Sequence, residues 1–140
     1  FLSENGTLTS NFTPENCLQY ANSNVIGGCA QGLTRDMIQK NKTLQESCDL
    51  FNSVAKESCA RGYGYNLAGL HFSEEQKISN TTLNSCQEEQ ECAEGYGWIA
   101  YMHYIDLEKA RNKCEQTFTE KNYQECYNSA VKASNSEILQ

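Results

Sequence analysis

The 140-residue chain has one proline and three valines, and Leu, Ile, Val and Phe together make up 25 of its 140 residues, about 18%. That falls under the roughly 20% below which a charged chain usually stays disordered, so a core of aliphatic packing alone is excluded. Mean hydropathy is −0.67. Long apolar runs are also missing. The longest, 98–102, is five residues, against the roughly 20 of a membrane span. Basic residues are few: 11 Lys and Arg stand against 18 Asp and Glu, for a net charge of −7 and a pI near 4.8. With no basic stripe, nucleic acid and anionic membrane are poor partners. Strand signals are scarce, because almost no period-2 alternation accompanies the three valines.

Several chemistries are absent as well. There is no Gly-x-Ser-x-Gly elbow and no Cys-x2-Cys pair, and only His71 and His103 offer imidazole. Cysteine spacings of 12, 19, 11, 27, 6, 22 and 12 do not place zinc ligands within one turn of each other. The carboxylates Glu74, Glu75, Glu88, Glu89 and Glu91 lack the Asp-x-Asp-x-Asp-Gly loop of a calcium site and read as solvated faces. The Gly-Tyr-Gly triplets have no following Lys-Ser/Thr and are not phosphate loops. No catalytic residue, cofactor or metal site is expected.

What is present is eight cysteines, eight tyrosines and one tryptophan. In so polar a chain the cysteines imply an oxidising compartment. Four disulfides at about 2–4 kcal/mol each match the net stability of a whole domain. Four N-x-[ST] sequons, at Asn5, Asn11, Asn41 and Asn80, point the same way. The start at Phe1 rather than Met is what removal of a signal peptide leaves. A secreted, N-glycosylated protein is the expectation.

The chain also repeats itself. Asn11-Phe-Thr-Pro-Glu-Asn-Cys17, Asn41-Lys-Thr-Leu-Gln-Glu-Ser-Cys48 and Asn80-Thr-Thr-Leu-Asn-Ser-Cys86 each run from a sequon to a cysteine six or seven residues on. Interleaved with them, Cys29-Ala-Gln-Gly-Leu, Cys59-Ala-Arg-Gly-Tyr and Cys92-Ala-Glu-Gly-Tyr share one plan, and Cys126-Tyr-Asn-Ser-Ala is a degenerate fourth copy. The steps of 30, 33 and 34 residues are the period of helical-hairpin solenoids. The Trp, Leu-Gly and Pro positions of tetratricopeptide-type hairpins do not line up across the units. Local signals are helical too. Leu44, Cys48, Phe51, Ala55 and Cys59 step by 4, 3, 4 and 4, as do Leu107, Ala110, Cys114 and Phe118 by 3, 4 and 4. Thr43 with Glu46 is a capping box, while Thr13 before Pro14 and Thr82 before Leu83 read as further helix starts. That reading puts Asn11, Asn41 and Asn80 just outside helices. Gly62 and Gly95 either end helices or let two helices approach closely.

The expected fold is therefore all-α: a short, disulfide-stapled array of helical hairpins with a period of about 30–34 residues. An extended polar arm over 1–13 precedes a single domain over 14–140, with units near 14–40, 41–79, 80–106 and 107–140. Two pairings stay open, with like-with-like stacking of the cysteines a third. If the segments between cysteines are straight helices, Cys48 and Cys59 lie about 16 Å apart and Cys86 and Cys92 about 9 Å, beyond bridging distance. Bonds Cys29–Cys48, Cys59–Cys86 and Cys92–Cys114 then leave Cys17 and Cys126 for an intermolecular bridge. If the helices break instead, Cys17–Cys29, Cys48–Cys59, Cys86–Cys92 and Cys114–Cys126 close locally.

The aromatics Tyr63, Tyr65, Tyr96, Trp98, Tyr101 and Tyr104 are candidates for a ligand pocket or, with so few aliphatics, for the core itself. His71 and His103, 12 and 11 residues after Cys59 and Cys92, read as packing or surface residues. A unit with unsatisfied faces at both ends needs caps or another subunit. The functional expectation is a structural protein that associates head-to-tail with copies of itself into an extracellular filament or matrix. The alternative is a binding module, either a receptor ectodomain or a small-ligand carrier, that uses the aromatic group.

Overall fold

A computed structural model describes residues 13–73 and 77–139. The expected N-terminal arm, apart from Thr13 but including Asn5 and Asn11, and the Glu74-Glu75 pair lie outside the described residues. Among those described, the chain is all-helical. Short and long helices alternate. A 3-10 turn, Pro14–Gln19, precedes α1 (Ser23–Gln39); α2 (Leu44–Cys48) precedes α3 (Ser53–Ser73); α4 (Asn80–Gln87) precedes α5 (Gln90–Tyr104); α6 (Leu107–Thr117) precedes α7 (Glu120–Leu139). The long helices pack in chain order, α1 on α3, α3 on α5 and α5 on α7.

Each short element is bonded to the long helix that follows it: Cys17–Cys29, Cys48–Cys59, Cys86–Cys92 and Cys114–Cys126, with Cα separations of 5.4–5.7 Å. This overturns the cross-helix scheme. Cys17 and Cys126 are bonded within the chain and are not left for a second molecule. The straight-helix premise fails at both places where it was applied. Residues 49–52, without Gly or Pro, leave the helical path; the Phe51 side chain is buried there and Ser53 takes φ 47°. The Asn52 carbonyl then accepts from the N–H groups of Ala55 and Lys56 to start α3. Between Cys86 and Cys92 the break falls at Glu88 and Glu89, which cap α4 and α5 respectively.

Capping follows elementary chemistry, with one departure. Thr43 and Glu46 close the expected box, Oγ1 accepting from the Glu46 N–H at 3.1 Å and the carboxylate accepting from the Thr43 N–H at 3.2 Å. Asn22 and Asp106 cap α1 and α6. At α4 the cap is Ser79, whose hydroxyl accepts from the Thr82 N–H at 3.2 Å. Thr82 is therefore buried inside the first turn instead of capping it, and Asn80 opens the helix.

The core is as unusual as the composition. Among the described residues seven half-cystines are buried, as many as Leu, Ile and Phe combined. Tyr63 and Tyr96 are fully enclosed. Tyr96 meets Phe118 and Phe72 edge-on, at ring separations of 5.1 and 5.3 Å, a favoured aromatic geometry. The Gly-Tyr-Gly triplets sit mid-helix where backbones touch. A Cβ on Gly95 would overlap the Arg61 carbonyl, and one on Gly64 or Gly97 would overlap the carbonyl of Cys92 or Cys126. Of the two roles open to Gly62 and Gly95, close approach is the one realised.

Candidate functional site

The aromatic group divides between three places. Tyr63, Tyr96 and Tyr101 are core. The Tyr63 hydroxyl donates to the Lys42 carbonyl at 2.7 Å, which ties α3 to the turn before α2. Burial pushes its pKa up to about 12. The Tyr96 hydroxyl lies 2.9 Å from Nδ1 of His71 and 3.3 Å from Oγ1 of Thr117. Its pKa is also pushed up to about 12 by burial, so it remains a donor. With neutral imidazole it donates to His71 while accepting from Thr117. Burial, with Lys113 nearby, holds His71 below its ordinary 6.5. Tyr104 joins His71 and His103 around the ring of Phe72. These histidines are packing groups, and among the described residues no three His, Cys, Asp or Glu side chains gather as a metal site.

Tyr65 and Trp98 face a groove instead. Its positions recur from helix to helix. Tyr65, Trp98 and Lys132 each follow their helix cysteine by six residues, and Arg61, Glu94 and Asn128 by two. These residues, joined by Glu125, line an open cavity of about 290 Å³ across α3, α5 and α7. Arg61 reaches Glu94 at 3.3 Å, which bridges the first two helices.

A second feature lies at the start of the row. On α3 and α5 the residue three after the cysteine, Gly62 or Gly95, receives the preceding long helix. Gly32 holds that place on α1, and among the described residues nothing lies within 4 Å of a Cβ built there or on Gly28 one turn earlier. Val25, a further turn back on the same stripe, is 49% exposed. Leu18 and Tyr20, on the 3-10 turn that packs against α1, are exposed too. The outward stripe of α7 carries the half-buried Tyr127 and Val131 among the exposed Gln124, Asn128 and Asn135.

The sequons at Asn41 and Asn80 are exposed, Asn41 in the turn between α1 and α2 with φ 61° and Asn80 at the first position of α4. Glu88 is exposed, Glu89 and Glu91 are half-buried, and Glu89 accepts from Gln45 at 3.4 Å. Among the described residues no helix is long and apolar enough to cross a membrane. The open face of α1 was not read from the sequence, although a signal was there: Gly32 follows Cys29 by three residues, as Gly62 follows Cys59 and Gly95 follows Cys92. Comparison with protein-family models, with curated proteins and with solved structures finds no match for this chain.

Proposed function

We propose that this is a secreted, N-glycosylated structural protein whose four helix pairs form a short repeat array, and that copies pack head-to-tail, without covalent links, into an extracellular filament or matrix. The observation that carries this reading is the α1 face. It has the small-residue register that α3 and α5 use to seat a preceding helix, yet among the described residues no helix occupies it. A bare stripe of Gly28 and Gly32 flanked by Val25 forms a recess. Tyr127 and Val131 of α7 form a ridge of matching character, an apolar centre inside the polar rim of Gln124, Asn128 and Asn135. An interface between two different faces of one chain does not close and propagates as a fibre.

Charge favours the same contact. Residues 14–40 hold two acidic and two basic side chains, and 107–140 hold five of each. Five acidic and no basic residues lie in 80–106. Both ends are therefore neutral, and the net negative charge sits where copies would not touch. Four internal disulfides fit an oxidising extracellular setting, and exposed Asn41 and Asn80 suit glycan attachment on the flank.

The test is a concentration series by sedimentation velocity on the wild type and on Gly32→Gln. The wild type should grow in mass with concentration. The variant fills the recess with a good helix former and should stay monomeric while melting at the same or a higher temperature. Equal assembly of both proteins would remove the α1 face from the account. Glycopeptide mass spectrometry should find Asn41 and Asn80 occupied in native material, and unmodified sites would remove the glycan coat.

A further inference from the structure

We infer that the groove across α3, α5 and α7 is a binding site for a neutral saccharide. Its charges balance: Arg61 and Lys132 are cationic, Glu94 and Glu125 anionic, and all four line the same cavity. An ionic ligand of either sign would meet two like charges there. A polyhydroxylated ring carries donors and acceptors on adjacent carbons, so it satisfies guanidinium, ammonium and carboxylate together. The remaining requirement of sugar recognition is an aromatic surface for the apolar C–H face of the ring. Tyr65 and Trp98 supply it from equivalent positions on adjacent helices, and both stay half-exposed although the other triplet aromatics, Tyr63 and Tyr96, are buried.

Size and rigidity agree. The cavity, about 290 Å³, is at the small end of ligand pockets and suits one or two sugar rings. The lining comes from helices rather than loops. The backbone contacts at Gly64, Gly95 and Gly97 fix the helix spacing, and the Arg61–Glu94 pair at 3.3 Å holds two polar groups in place before a ligand arrives. The groove shares Asn128 with the α7 ridge and no residue with the α1 face. Two sources share this chemistry, a free oligosaccharide and an N-linked glycan on another copy.

Trp98 is the only tryptophan in the chain, beside eight tyrosines, so tryptophan emission excited selectively over tyrosine reports the surroundings of Trp98. The enzymatically deglycosylated protein is titrated with mannotriose, cellotriose, a sulfated trisaccharide, and glycopeptides released from the protein's own Asn41 and Asn80. The inference expects a saturable change in Trp emission with at least one neutral saccharide or glycopeptide. Glu125→Gln and Lys132→Ala should each weaken it about tenfold, with melting temperatures unchanged. A response to the free neutral trisaccharides identifies a soluble ligand, and a response to glycopeptides alone identifies a neighbour's glycan. No saturable change up to about 10 mM, well above a Kd of 1 mM, would overturn the inference. Tighter binding of the sulfated sugar, or full binding by both variants, would overturn it equally.

Discussion

Gly32 and Gly95 occupy the same place, three residues after a helix cysteine, and an alanine methyl should move stability in opposite directions at the two. Among the described residues nothing lies within 4 Å of the position a Gly32 Cβ would take. Replacing a mid-helix glycine by alanine there recovers only the helix-propensity difference, a gain of about 0.5–1 kcal/mol. At Gly95 the same methyl overlaps the Arg61 carbonyl and comes within 3.1 Å of the Tyr65 nitrogen. Both neighbours are backbone, so no rotamer change relieves the clash, and α3 and α5 must separate around the buried Tyr96. Overpacking of this kind costs about 1–3 kcal/mol, which outweighs the propensity gain. Guanidinium unfolding of dilute, oxidised protein reads both values as shifts in midpoint at constant slope. The close-packed account predicts stabilisation for Gly32→Ala and destabilisation for Gly95→Ala. Equal effects of the same sign would refute it, because the two faces would then have the same surroundings.

Three further outcomes follow from the geometry. Replacing Cys48 and Cys59 together by alanine should cost about 3 kcal/mol, the loop-entropy value for cysteines 11 residues apart, and an unchanged unfolding midpoint would contradict a bond there. Since His71 is held below 6.5 by burial, its contribution to stability is complete above pH 6.5. It is lost as the pH falls through the lower folded value, where the unfolded chain binds the extra proton. His71→Gln should melt with a shallower loss on acidification below pH 6.5, and parallel pH profiles would exclude His71 as the source. Tyr63→Phe leaves the Lys42 carbonyl without its donor and should cost about 1 kcal/mol, read by the same unfolding curves.

Much of this architecture was legible in the residues themselves. The 3–4 spacing of apolar positions and the near absence of period-2 alternation predict helices over 14–140. The Thr43–Glu46 box predicts a helix start that the structure contains. The pairing of cysteines was not decided, because local rules do not end a helix at 49–52. No Gly or Pro stands there, and what bends the chain is tertiary: burial of Phe51 and closure of the Cys48–Cys59 bond. The start of α4 was displaced for a related reason. Thr82 is a good cap by composition, but burial against its neighbours takes it into the helix, and Ser79 caps instead. The aromatic residues read as one group because they fall in two short stretches, 63–65 and 96–104, each a few residues after a cysteine. Helical phase separates them, sending Tyr63 and Tyr96 inward and Tyr65 and Trp98, two residues on, toward the groove.

Association of copies by packing alone is most directly tested on native, untreated protein examined two ways at once. Electron microscopy under native conditions should show extended assemblies. A non-reducing denaturing gel of the same sample should show a single band at the mass of one chain, with no ladder. A ladder would mean bonds between chains and contradict the four internal disulfides. A monodisperse monomer at every concentration would contradict the self-association.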